Sequence, residues 1–241
     1  MGTNYPPIIM KKLFFATACI MGLLVPKTQQ AQIDQQELGA WYMYFFNTTF
    51  NEGPWGIQGD IQFRNWDMGS DLEQLLLRTG LTYKPKSAEV LFTLGYGHIT
   101  SGAYGDSKAQ KMESRVYQEA LFPVKFGGRI YTKHRFRYEQ RFVDGQDFRT
   151  RYRYNLFVTV PLNNKAVEKN TLYVSLYNEL FVNGQRNIGD QVSVEYFDRN
   201  RLYSALGYAF SKTLKVQLGV MRQGTGSWAK NQLQLSVHQK W

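Results

Sequence analysis

Residues 129–142 read RIYTKHRFRYEQRF, and residues 148–160 read FRTRYRYNLFVTV. In the first stretch Ile130, Phe136, Tyr138 and Phe142 share one parity. Arg129, Lys133, Arg135, Arg137, Glu139 and Arg141 share the other. In the second, Phe148, Tyr152, Tyr154, Leu156, Val158 and Val160 oppose Arg149, Arg151 and Arg153. A period of two is the signature of a β-strand, whose successive side chains point to opposite faces. Each stretch is therefore a strand with one apolar face and one densely charged face.

The same period runs outward from this pair in both directions. In 56–64, Ile57, Ile61 and Phe63 oppose Gln58, Asp60, Gln62 and Arg64. In 88–99, Val90, Phe92, Leu94 and Tyr96 share a side, and Thr93, Gly95 and Gly97 face away. Leu214, Val216, Leu218 and Val220 oppose Lys215 and Gln217; Leu233, Leu235 and Val237 oppose Gln232, Gln234, Ser236 and His238. The spacing predicts strands at about 37–47, 55–66, 72–83, 88–99, 112–122, 127–142, 147–162, 170–183, 200–210, 213–222 and 230–241. Soluble strands average roughly 5–6 residues, whereas membrane-spanning strands need about 9–11. Most of these are of the longer kind. With no amphipathic helix, linker or low-complexity stretch between them, 32–241 reads as one all-β domain.

Composition sets outer bounds. The chain has 241 residues, of which 43% are hydrophobic and 15% aromatic, too rich for intrinsic disorder. One cysteine excludes a disulfide scaffold or a cysteine-rich zinc site, and three histidines leave little for a His-rich metal centre. A net charge of +10 raises the question of a nucleic-acid surface. Lys11 and Lys12, followed by the uncharged Leu13–Val25 and then by Ala31, have the layout of a secretory signal peptide. The expected start is Met10 and the expected cut follows Ala31. A membrane anchor is disfavoured by the short apolar run, and a lipoprotein reading of Cys19 by its position within that run. Cleavage removes Lys11, Lys12 and Lys27 and no acid, so the charge falls from +10 to +7, and the only cysteine leaves too. An exported chain is a poor candidate for binding nucleic acid.

Two architectures satisfy the alternation. A soluble sandwich or barrel turns the apolar face inward; an outer-membrane barrel turns it out to lipid and lines its lumen with the polar face. Three features favour the second. The polar faces are wide and charged, and the strands are long. Aromatics gather near strand ends, at Trp41, Tyr42, Tyr44, Phe45 and Phe46, at Trp55 and Trp66, and at Tyr203, Tyr208 and Phe210, as interface girdles do. Leu233, Leu235, Val237 and the terminal Trp241 resemble the C-terminal signal read by the outer-membrane insertion machinery; Gln239 departs from it. The expected fold is a transmembrane antiparallel up-and-down β-barrel of about 10–12 strands. Its expected partners are outer-membrane lipids and, during biogenesis, the barrel-assembly machinery.

Strand count and orientation are linked. The connections at Lys84–Ser87, Pro123–Phe126 and Ser211–Thr213 are short, and those at Thr100–Lys111, Gly184–Asp198 and Gln223–Ala229 are longer. Outer-membrane barrels keep short turns periplasmic, and bacterial single-chain barrels use even strand numbers. Eleven predicted strands become ten if 37–47 lies outside the barrel. They become twelve if Gly189–Phe197 is an extra strand. Ten preserves the assignment of short turns to one end.

The run from His134 to Phe142 and then from Phe148 to Tyr154 resembles the domain-of-unknown-function 2490 proteins. Further matching pieces are Arg78-Thr-Gly-Leu-Thr-Tyr83, Gly95-Tyr-Gly97, the Glu113-x-Arg115-x-x-Gln118 element, Tyr177-Asn-Glu179-Leu-Phe, and Phe197-Asp-Arg-Asn-Arg201-Leu-Tyr. The family more often has Gln where Arg199 stands. The likeness covers roughly 35–241. It implies an outer-membrane β-barrel of Gram-negative bacteria and no particular activity.

The inward charges form the candidate binding site: Arg78, Arg115, Glu119, Arg135, Arg137, Glu139, Arg141, Arg149, Arg151, Arg153, Glu179 and Arg201. Directly opposed residues of antiparallel strands lie about 5 Å apart, so opposite charges on neighbouring strands can pair across the wall. Two readings follow. Glu119, Glu139 and Glu179 can pair with the arginines and pack a narrow lumen. Alternatively, three glutamates leave arginine unpaired, and the lumen favours small anions. An enzyme is not expected. The nearest thing to a nucleophile and base is His98 beside Thr100 and Ser101, where an outer-membrane lipid hydrolase would be the alternative. His134 falls on the lipid-facing parity and His238 on the lumen side, where it bonds its neighbours. No cofactor or metal is expected, although Asp67, Asp71 and Glu73, and Asp144 and Asp147, sit around turns that could hold a hard cation. The glycines of Gly95-Tyr-Gly97 serve close packing rather than phosphate. A periplasmic binding protein of the soluble β-barrel kind is the third function class.

Overall fold

A computed structural model describes residues 33–241. The expected signal peptide, its start at Met10 and its cut after Ala31 lie outside the described residues. Eleven strands follow one another: β1 (Gly39–Thr49), β2 (Trp55–Asn65), β3 (Leu72–Tyr83), β4 (Leu91–Gly102), β5 (Gln110–Phe126), β6 (Ile130–Val143), β7 (Arg149–Pro161), β8 (Thr171–Asn183), β9 (Phe197–Ala209), β10 (Leu214–Gly224) and β11 (Ala229–Lys240). A 3-10 turn at Phe50–Glu52 is the only helical element among the described residues.

Each strand pairs antiparallel with the next in sequence, and the sheet closes on itself between β1 and β11. That closing pair is parallel, from Gly39 opposite Gln232 to Asn47 opposite Lys240. Parity demands it, because in an up-and-down meander with an odd number of strands the first and last run the same way. Neither route to an even count holds. Residues 39–49 belong to the barrel wall, and Phe197 opens β9 while Asn187 and Ser193 form only an isolated bridge. The barrel is therefore antiparallel at every contact except the parallel seam.

Connections 66–71, 103–109, 144–148, 184–196 and 225–228 lie at one end, the upper end. Trp66 packs against Tyr104 and Trp228 there, with centroids 5.7 and 6.1 Å away. The segment before β1 joins the same end: Lys230 Nζ donates to the Asp34 carbonyl at 2.9 Å, and the Ala229 amide donates to Gln35 Oε1. The lower end carries 50–54, 84–90, 127–129, 162–170, 210–213 and Trp241. The longest connection is upper, as the sequence suggested, but the contrast is weaker than expected because 84–90 and 162–170 are also long. Pro123–Phe126 is strand rather than turn; β5 continues through it, and the turn is 127–129.

The two faces are inverted relative to a soluble barrel. Leu94, Leu202 and Leu206 are each 58% exposed on the outside, in a belt continued by Ile61, Leu77, Phe136, Tyr152 and Leu218. Inside, the buried residues are mostly polar or charged, with a small apolar cluster of Trp41, Tyr203, Ala205 and Met221. Trp41 and Tyr203 are thus core residues, not girdle residues. Phe45 also points in, stacked on His238 at 4.8 Å. Tyr42, Trp55, Tyr208 and Phe210 do stand exposed on the outside. Gly95 faces inward beneath the ring of Tyr117, where a Cβ would collide with the ring. Gly207 makes the same space for Tyr173. Residues without side chains thus allow large rings to lie across a narrow lumen.

Candidate functional site: the charged lumen

Strands β5 to β9 each contribute charges at alternate positions, and the barrel wall gathers them into one lattice. Glu113 accepts from Arg115, through Nη2 at 2.7 Å, and from Arg141, through Nη2 at 2.9 Å. Glu119 accepts from Arg137 Nε at 2.7 Å and lies 3.7 Å from Arg135. Glu139 accepts from Arg151 Nη2 at 2.7 Å and Arg153 Nη1 at 2.6 Å. Glu179 accepts from Arg135 Nη2 at 2.6 Å and Arg153 Nε at 2.9 Å, with Arg201 at 3.9 Å. Each glutamate is shared between at least two arginines. Charge-assisted, often bidentate bonds of this kind are the strong ones.

The pairing is largely diagonal. Arg115 stands directly opposite Arg141, Arg137 opposite Arg153, and Arg141 opposite Arg149. Like charges at closest approach would be destabilising. The guanidinium groups instead reach along the wall to glutamates one step away. Within the lattice Glu119–Arg137, Glu139–Arg151 and the longer Glu179–Arg201 contact are both direct cross-strand neighbours and ion pairs.

Two β-bulges add carboxylates that strict alternation would not place. The ladder between β2 and β3 passes from Arg64–Gln74 to Asn65–Leu72 and skips Glu73, which accepts from Trp41 Nε1 at 2.8 Å. The ladder between β8 and β9 passes from Phe181–Arg199 to Val182–Phe197 and skips Asp198, which accepts from Arg151 Nη1 at 2.8 Å. Bulges commonly re-aim a side chain. Both turn an acid toward the lumen.

Where carboxylates run out, aromatic faces receive the cations. Trp41 lies between Arg64, 3.8 Å from the ring centroid, and Arg201 at 4.8 Å. Phe181 lies between Arg153 at 4.4 Å and Arg201 at 4.7 Å. Arg137 stands 4.2 Å from the centroid of Tyr117. A desolvated cation over a ring gains about 2 kcal/mol. The carboxylates of this arrangement are sealed from solvent: Glu139 and Glu179 are 1% and 3% exposed.

Of the residues the sequence points to, Arg115, Glu119, Arg135, Arg137, Glu139, Arg141, Arg151, Arg153, Glu179 and Arg201 join the lattice. Arg78 forms a separate pair with Asp60 at 2.9 Å. Arg149 is half-buried at the upper end and pairs with no carboxylate among the described residues. Arg129 lies exposed in the 127–129 turn, not on an inward face. Asp60, Arg64, Glu73 and Asp198 were missed. Asp60 and Arg64 stood on the right face, but periodicity does not say which strands meet across a lumen, and it cannot show a bulge.

The other candidates disperse. His98 faces outward and Ser101 inward, where it accepts from Gln74 at 3.0 Å, so an odd sequence separation puts the wall between them. The outward neighbour of His98 is Ser114, which shares a 2.9 Å hydrogen bond with the Tyr96 hydroxyl. His134 bonds the Tyr154 hydroxyl at 2.8 Å on the outer face, and His238 bonds Ser236 at 3.0 Å inside. The carboxylates around the 66–71 turn do not converge. Asp67 accepts from the amides of Gly69, Ser70 and Asp71, and from the Ser70 hydroxyl, bonds that hold its carboxyl well below the usual carboxylate range. Asp71 accepts from the Gly105 amide, and Glu73 turns into the lumen. No group of three candidate metal ligands occurs among the described residues.

A closed β-barrel with an apolar exterior and an interior of shared ion pairs is the class that fold and site define. Residues 38–234 match the family model described as protein of unknown function (DUF2490), and the chain belongs to that family. No curated protein and no solved structure matches it.

Proposed function

We propose that the protein is an integral β-barrel of the Gram-negative outer membrane with a structural role, its lumen closed to solutes by the arginine–carboxylate lattice. The observation that carries this reading is the inversion of faces: exposed leucines outside, buried salt bridges inside. Lipid is the solvent that makes an apolar exterior stable. A soluble binding barrel would require the opposite orientation of the same residues. The signal-like stretch at 11–31 and the outward aromatics at Trp55 and Phe210 agree with export and insertion. In this reading the lower end, which carries the short turns at 127–129 and 210–213, faces the periplasm.

Between the two ways of using the charges, the lattice favours packing over passage. Anion conduction needs sites that are favourable to enter and weak enough to leave, and every glutamate and most arginines of the lattice are already bound to each other. The purified protein, reconstituted into planar bilayers, is expected to leave the membrane silent. Stable, anion-selective conductance steps from the wild-type protein would overturn the closed reading. Clean release by osmotic shock, without detergent, would overturn the membrane reading. We assign no hydrolase activity; phospholipid turnover by the purified protein that is lost in His98→Ala or Ser114→Ala would reverse that.

A further inference from the structure

Below the lattice the lumen changes character. Lys133 of β6 lies one inward position below Arg135, and Lys215 of β10 pairs in register with His238 of β11, two residues before the inward Lys240. β6 stands across the closed ring from β10 and β11, so these side chains occupy inward positions of the lower mouth on opposite walls. None of the three lysines takes part in an ion pair among the described residues. The lumen acids above them, Glu119 and Glu179, are already held by Arg135, Arg137 and Arg153. Residues 1–32 contain no Asp or Glu that could supply a partner. The lysines are also reachable: Lys133 and Lys240 are exposed, whereas the glutamates above them are sealed. The floor of the mouth is polar and aromatic, from Ser236, Phe45 and the Tyr173–Gln217 pair, whose hydroxyl accepts at 3.2 Å.

Three like charges held facing one another, in a site whose wall is closed behind them, are stabilised by a multivalent anion. We propose that the lower mouth of the barrel is a binding site for a phosphate group, taken up by Lys133, Lys215 and Lys240 with His238 beside them. Lysine is the point-charge binder of phosphate, and three of them match a group carrying two or more negative charges better than a single carboxylate. The lattice makes this a cup rather than the start of a passage. The group can belong to a free anion or to a phospholipid head group at the membrane interface. The proposal goes beyond the structural role above and needs only the folded barrel, so it is tested in detergent, independently of conductance.

The test uses folded protein in a zwitterionic detergent, titrated calorimetrically with inorganic pyrophosphate at low ionic strength. Three forms are compared: wild type, Lys133→Gln/Lys215→Gln, and Lys86→Gln as a control for an exposed lysine of the 84–90 connection. Total phosphorus in each preparation is measured alongside. Saturable pyrophosphate binding, weakened at least 10-fold in the double variant and unchanged in the control, supports the free-anion form. Stoichiometric lipid phosphorus in the wild type and the control, absent from the double variant, supports the head-group form. Absence of both, or equal weakening by Lys86→Gln, overturns the site. Heat-modifiable gel mobility of the double variant establishes that it has folded; should it not fold, Lys215→Gln alone, at a half-buried rim position, carries the same comparison.

Discussion

At the level of single residues, the energetics turn on carboxylates shared between cations. Glu139 is the clearest case, buried to 1% exposure and bound to both Arg151 and Arg153. Removing one partner of a buried pair costs about 3–5 kcal/mol, because the remaining charge is left without solvent or counter-ion. Glu139→Ala leaves two guanidinium groups short of a partner. Its expected effect is a cost in that range, measured as a lower temperature for loss of the folded gel band in detergent. Glu195→Ala, which removes an exposed pair with Arg186, is expected to shift it little. Equal shifts for the two would mean that the lattice contributes nothing beyond a surface pair. A guanidinium over an aromatic face offers a second comparison. Trp41→Leu removes the ring between Arg64 and Arg201 and one donor to Glu73, so it should destabilise by more than lost apolar area alone.

At the level of elements, alternation and its two interruptions decide what enters the lumen. β4 is an ordinary alternating strand, yet its inward side chains shrink to glycine where β5 sends in Tyr117. Gly95→Val puts branched carbons where that ring lies. Overpacking of this sort costs about 1–3 kcal/mol, and the same thermal gel assay should show it. Ala120→Val, with its side chain on the outer face of β5, should be close to neutral. If both substitutions were neutral, the ring of Tyr117 would not lie across Gly95. The bulges at Glu73 and Asp198 are the elements that periodic reading cannot reach. Each inserts one unpaired residue, and a carboxylate that strict parity would have turned outward points to Trp41 or Arg151 instead.

For the whole molecule, the consequence of eleven strands is the parallel seam. Tyr42 on β1 stands opposite Leu235 on β11, both facing outward. The double substitution Tyr42→Cys/Leu235→Cys is expected to form an intramolecular disulfide under mild oxidation, since paired strands bring Cα atoms within disulfide range. Tyr42→Cys/Leu218→Cys, one strand further round, should not. Failure of the first pair in folded protein would open the barrel between β1 and β11. The seam also puts the two ends of the described chain at opposite mouths, with 33–38 against the upper loops and Trp241 below. The positive charge is divided accordingly, into a centre where arginines share carboxylates and aromatic faces and a lower rim whose lysines form no ion pair among the described residues.

Much of this was legible in the residues alone. Period-two patterning in stretches such as 129–142 and 148–160 determined the strands, their faces and the charged parity, because a strand's alternation is local and needs no partner to be read. The signal-like N-terminus and the terminal aromatic strand set the expectation of export on equally local grounds. The tertiary structure decided the rest. Closure with β1 in the wall, the diagonal choice of partners for Arg141 and Arg153, the capture of Arg201 between two rings and the convergence of Lys133 with Lys215 all join residues from distant strands. Which of those faces meet depends on register, bulges and barrel width, and these are properties of the closed sheet rather than of any one segment of the chain.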